Sequence, residues 1–162
     1  GLVLDGVIAA SEAQRAGLWR IRESIPEANR RIGAVSSHDI SLPLGAVPDF
    51  IAQAGPRLAR LGDWRINCFG HLGDGNLHYN IAGPSSAQTE EFFTSKSKEI
   101  QALVYAEVEK LNGSISAEHG VGQQKVAYLK GHRGEVALGV MQAIKQALDP
   151  HNLMNPGKVI AS

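Results

Sequence analysis

Cysteine occurs once in the 162 residues, as Cys68, so no intrachain disulfide can form and nothing points to a secreted, disulfide-stapled scaffold. A reducing, cytoplasmic setting is the expectation. Charge of one sign is also lacking: 16 Lys+Arg balance 16 Asp+Glu, and neither gathers into a run. That leaves no electrostatic footprint for a nucleic-acid backbone or an anionic membrane. No apolar stretch approaches the ~20 residues of a transmembrane helix, and no basic signal-peptide start precedes Leu2-Val3-Leu4. The chain opens on Gly1 rather than Met, which reads as a piece of a longer protein. What is present suffices for one domain with a sizeable core.

Hydrophobic spacing lays out the elements. A helix is expected over 8–32, with Ser11 and Gln14 as a capping pair, an apolar stripe of Ala9, Leu18, Trp19, Ile21 and Ile25, and a kink or end at Pro26. A strand over 36–42 stops at Pro43, and a helix over 47–61 tolerates Pro48 in its first turn and ends at Gly62. Trp64, Ile66 and Cys68, then Leu77, Tyr79 and Ile81, alternate with polar neighbours. The Asp74-Gly75 step between them signals an antiparallel hairpin, with Cys68 on its core face. A long helix over 88–111, carrying Phe93, Ile100, Leu103, Val104, Val108 and Leu111, stops at Asn112-Gly113. A short strand is expected over 114–116, then helices over 123–130 and 135–148, the last turning Val136, Val140, Met141, Ile144 and Leu148 inward. Strand-helix-strand-strand-helix-strand is the split βαβ of a ferredoxin-like α+β sandwich: an antiparallel sheet with helices on one face, here followed by C-terminal helices.

The polar residues are concentrated. In the hairpin, His71 ends one strand while Asn76, His78 and Asn80 project from one face of the next, because side chains alternate. A second knot, Ser116-Ala117-Glu118-His119-Gly120, follows the last expected strand, where chain ends gather functional groups on a rigid scaffold. Two His and a carboxylate suit a divalent transition metal that keeps open positions for water or substrate. The competing reading is a metal-free binding or assembly module whose His residues are hydrogen-bonded turn residues. Gly73 and Gly75 lack the Lys-Ser/Thr of a phosphate loop, and Arg22 reads equally well as an exposed helix charge.

Three ordered motifs carry a resemblance: His71-Leu72-Gly73-Asp74-Gly75-Asn76-Leu77-His78, Ser116-Ala117-Glu118-His119-Gly120-Val121-Gly122, and Asp149-Pro150-His151-Asn152-Leu153-Met154-Asn155-Pro156-Gly157-Lys158. With Leu18-Trp19-Arg20-Ile21-Arg22-Glu23, they span nearly the whole chain. It resembles the C-terminal part of FAD-linked oxidases and dehydrogenases, the vanillyl-alcohol-oxidase-like group that includes D-lactate dehydrogenase, the glycolate oxidase flavin subunit and D-2-hydroxyglutarate dehydrogenase.

The resemblance implies a partial cap domain, residues 1–162, of a larger flavoenzyme that oxidises a small D-2-hydroxy acid to the 2-oxo acid. It implies that His71, His78 and Glu118 hold a divalent metal, zinc or manganese. His119 would be the general base and Arg22 the clamp on the substrate carboxylate. Asn80 would sit at the substrate and flavin interface, with Asn155 a second flavin contact. FAD would be held mainly by an N-terminal domain of the same parent chain, so these residues alone should be catalytically silent. The apolar flank uncovered without that domain would favour a homodimer. Pro26 and Ser37 stand where D-2-hydroxyglutarate dehydrogenases carry a Thr and a Lys, so a dicarboxylate substrate is not implied. A metal-free FAD-dependent alcohol or glycolate oxidase is the alternative within the group.

Overall fold

The computed structural model describes residues 4–32, 34–83 and 90–160, without the side chains of 34–35 and 90–93. Ser11 opens the first helix: its Oγ accepts from the Gln14 N–H at 3.2 Å, while Gln14 Oε1 accepts from the Ala10 N–H at 2.7 Å. This reciprocal cap starts α1 (Glu12–Glu23). The chain turns at Ser24 and continues as α2 (Ile25–Ile32), so the helix expected over 8–32 is two, separated just before Pro26.

The sheet consists of β1 (Ala34–Ser41), β2 (Arg65–Phe69) and β3 (Asn76–Ala82), antiparallel in the order β1-β3-β2. Two helices cover one face: α3 (Val47–Leu58) packs on α4 (Glu90–Lys110), and α4 packs on β1. Gln88, where the second helix was expected to begin, and the Phe93 side chain lie outside the described residues. Ile40, Phe50, Leu58, Tyr79, Ile81, Ile100, Val104 and Val108 form the core between sheet and helices. Cys68 packs against its edge, and burial pushes its thiol pKa up, away from reactivity.

The chain leaves α4 through a Schellman turn. Asn112 is left-handed (φ 56°), its N–H bonds the Glu109 carbonyl, and the Gly113 N–H bonds the Val108 carbonyl. Ser114 and Ser41 then exchange two backbone hydrogen bonds (2.8 and 2.9 Å), one bridge at the free edge of β1. The fourth strand expected over 114–116 is reduced to that bridge, in the 4-1-3-2 position of a ferredoxin-like sheet. The architecture is α+β, as the element order implies.

Beyond it come α5 (Val126–His132) and α6 (Glu135–Leu148). The stripe expected to face inward from α6 does not: Val136 is 82% exposed, and Val140, Ile144 and Leu148 are exposed as well. Trp19 and Ile21 on α1 are likewise exposed. Among the described residues no helix is long and apolar enough to cross a membrane.

Candidate metal and substrate site

The pleat sorts the strands. Leu77, Tyr79 and Ile81 of β3 enter the core, so Asn76, His78 and Asn80 project from the opposite face. Register places Asp39 of β1 and Phe69 of β2 on either side of His78, and Ser37 and Asn67 on either side of Asn80. The connection from β2 to β3 is a six-residue loop, 70–75, rather than a two-residue turn. A 3-10 turn over Leu72–Asp74 ends at left-handed Gly75 (φ 65°), where a Cβ would collide with the Leu42 carbonyl. His71 therefore stands at the mouth of this loop, above β3.

Residues 116–120 cross over the same face, pinned by Asp39. Its Oδ2 accepts the backbone N–H of Ala117 (3.1 Å), Glu118 (2.8 Å) and His119 (2.8 Å). Its Oδ1 accepts from Asn76 Nδ2 at 3.0 Å and lies 3.8 Å from His78 Nδ1. Asp39 is only 5% exposed. Burial raises its pKa, but the bonds from His119 and Glu118, with the charges of His119 and Lys125, outweigh it and hold the carboxyl below its usual range.

Three of the residues singled out by sequence meet here. Glu118 Oε1 lies 3.6 Å from His71 Nε2, and Glu118 Oε2 lies 3.5 Å from His78 Nε2. These gaps are long for hydrogen bonds. Two donors bound at about 2.1 Å to a tetrahedral ion stand roughly 3.4 Å apart, so the spacing and the His, His, carboxylate donor set both fit a divalent metal. Among the described residues, Asp39, His78, Glu118 and His119 form a metal-competent group, with donor atoms within 4.8 Å of one another; His71 joins it across Glu118. The His119 ring stacks on His78, with centroids 5.7 Å apart and planes at 26°.

These groups line one cleft of about 1030 Å³, together with Arg22 and Asn80. The Arg22 guanidinium carbon sits 5.8 Å from the Phe69 ring centroid, and Arg22 makes no ion pair among the described residues. Asn67 and Asn29 hydrogen-bond to each other, tying α2 to β2 beside this wall. Pro26 and Ser37 line the cleft too. Asn155 is not among its lining residues: it is left-handed (φ 50°) in the turn after α6, where its carbonyl accepts the Lys158 N–H. That turn is built on Asp149, which accepts the N–H groups of Leu153 and Met154 and pairs with Lys145. Asp39 is the residue that sequence reading passed over, because mid-strand it looks like one more polar position in a period-two pattern.

Comparison with known proteins agrees with the fold and the motifs. Residues 1–159 match the family described as FAD linked oxidases, C-terminal domain. A D-2-hydroxyglutarate dehydrogenase of Stutzerimonas stutzeri is 42% identical over 163 residues, covering 100% of this chain and 35% of that protein. One from Xanthomonas citri is 41% identical, over 98% of this chain and 34% of the relative. A mitochondrial D-2-hydroxyglutarate dehydrogenase of Arabidopsis thaliana is 40% identical, over 99% and 27%. The chain thus spans about a third of the length of these two bacterial relatives. With its split βαβ sheet and its motifs in family order, the chain belongs to the FAD-linked oxidases, as their C-terminal domain.

Proposed function

We propose that this chain supplies the metal ligands, the proton acceptor and the carboxylate clamp of a flavin-dependent dehydrogenase that oxidises a D-2-hydroxy acid to the 2-oxo acid. The observation that carries the reading is that Glu118 stands 3.6 Å from His71 and 3.5 Å from His78, with His119 stacked on His78, in a cleft that also holds Arg22. When bound, the metal, zinc or manganese, would supply charge stabilisation for alkoxide character on the substrate, and the flavin would supply the hydride acceptor. The flavin would be held by a part of the parent protein outside this chain, for which relatives about three times as long leave room. A cytoplasmic setting belongs to the same proposal, in keeping with the unpaired Cys68, although several related chains are named as mitochondrial.

Each residue has a defined task. Arg22 presents a planar fork of donors, and a 2-hydroxy acid offers a carboxylate that accepts two parallel hydrogen bonds. Anchoring that end fixes which face of the α-carbon meets the acceptor. His119, beside the metal ligands, takes the hydroxyl proton at a ring nitrogen. Asn80, half-buried one pleat from His78, borders the substrate space. Asn155 is retained as a flavin contact made from outside the cleft. The relatives are named for D-2-hydroxyglutarate; Pro26 and Ser37 carry no charge, Arg30 and Lys125 also line the cleft, and the proposal names the substrate only as a D-2-hydroxy acid.

Paired variants of the full-length protein test the roles. His119→Ala should keep its metal and lose at least 10²-fold in turnover, whereas Glu118→Ala should lose the metal. Equal metal content in the two would sink the assignment.

A further inference from the structure

We infer that Asp39 is the positioning residue of this site, one buried carboxylate that sets both the frame of the 117–119 segment and the orientation of the His78 ring. The inference rests on the proposed metal site for what is being positioned.

The two carboxylate oxygens divide the work. Oδ2 takes three consecutive backbone N–H groups, 117 to 119, so the segment that carries Glu118 and His119 is folded around it. Oδ1 takes Asn76 Nδ2, and Asn76 Oδ1 in turn accepts the His71 N–H at 3.4 Å. Oδ1 also faces His78 Nδ1 at 3.8 Å. Asp39 therefore reaches the backbone frame or the ring of all four site residues: His71 through Asn76, His78 by its ring, and Glu118 and His119 by their amides.

This arrangement argues against Asp39 as a metal ligand, although it belongs to the metal-competent group with His78, Glu118 and His119. Oδ2 already accepts three donors, and Oδ1 accepts Asn76 Nδ2 with its remaining lone pair turned toward His78 Nδ1, so neither oxygen has a free lone pair aimed at an ion. An anionic oxygen beside Nδ1 favours the proton there, leaving the Nε2 lone pair toward Glu118 and the metal. A carboxylate behind a ligating imidazole is a recurrent second layer of metal sites.

Asp39→Asn separates this role from simple structural support because it is nearly isosteric. The three amides need an acceptor, so the Asn carbonyl must take the Oδ2 place, which turns its NH₂ toward His78 Nδ1. Nδ1 then becomes an acceptor, the proton moves to Nε2, and the lone pair aimed at the metal is lost. The expected result is a zinc affinity, by competition titration of the chain, reduced 10- to 100-fold in a variant that stays folded in native buffer, with a lowered urea midpoint because the carboxylate charge and the bond from Asn76 Nδ2 are lost. A second readout needs no change at position 39. In Glu118→Ala, where Asp39 is the carboxylate left beside the ring, long-range ¹H–¹⁵N correlation should place the neutral His78 proton on Nδ1. Zinc affinity within twofold of wild type in Asp39→Asn, or a His78 proton on Nε2 in Glu118→Ala, would overturn the role. Failure of wild type to bind zinc would instead count against the metal reading, and the tautomer would still decide the case of Asp39.

Discussion

His38 and Asp39 are neighbours on β1, and the pleat sends them to opposite faces. His38 lies opposite Tyr79 on the core side, 2% exposed and edge-on to Tyr105, with Nε2 at 2.8 Å from Ser36 Oγ. Its Nδ1 has no hydrogen-bond partner among the described residues. Burial, reinforced by the Lys125 charge, pushes its pKa down to about 4 from 6.5. A depressed imidazole pKa means that the unfolded chain binds more protons between those values, so stability is fully present above about pH 6.5 and is lost as pH falls toward 4. Between pH 7 and pH 5 the loss from this one group is about 2 kcal/mol. Urea unfolding at the two pH values should show that loss in wild type and a much smaller one in His38→Gln; identical losses would contradict it. Asp39 acts in a lower window: its depressed carboxyl stabilises the fold above the ordinary Asp range and loses that contribution as pH falls through its folded value. At this scale His71, His78, Glu118 and His119 were legible, since their types and spacing are visible in the chain. Asp39 was not, because its worth lies in amides 78 to 80 residues away.

Elements hold the site through a few close approaches. Gly75 combines a left-handed backbone with contact against the end of β1, where the Leu42 N–H bonds the Gly75 carbonyl at 2.9 Å. Gly75→Ala should cost more than about 2 kcal/mol, since strain and a backbone collision add, and should displace His71. An Ala variant with wild-type urea midpoint would show that the loop needs no glycine. On the opposite face Arg57 of α3 pairs with Glu107 of α4, which is 1% exposed, while Lys110 stands 3.8 Å from the second oxygen. Arg57→Met leaves a buried carboxylate short of a partner and should destabilise by about 2–4 kcal/mol, whereas Arg57→Met with Glu107→Leu should recover much of it. Caps and turns such as Ser11, Asn112-Gly113 and Gly75 were legible because each answers a local backbone need. The break expected at Pro26 falls at Ser24, whereas the shrinking of the fourth strand to one bridge was not legible, being settled by its pairing with β1 73 residues away.

For the whole molecule, period and order were enough to give the layers: alternating runs became strands, and the order of elements became a three-stranded β1-β3-β2 sheet with one bridge in the fourth place. Amphipathic spacing was less informative about burial. It marks a face as apolar without saying what covers it, so the stripe of α6 reads as inward while Val136, Val140, Ile144 and Leu148 stay exposed, as Trp19 and Ile21 of α1 do. The donors to the proposed metal come from the β2–β3 loop, from β3 and from the segment after the Ser41–Ser114 bridge, so a bound ion would tie together parts of the chain 40 and more residues apart. Metal that binds the folded chain alone must raise its stability. The most direct test of the account is elemental analysis with a zinc and manganese titration of the chain, wild type beside His78→Ala. One ion per chain in wild type, a higher melting temperature on loading, and loss of both in His78→Ala are the predicted results. No bound metal in wild type, or equal metal in the variant, would contradict the account at its centre.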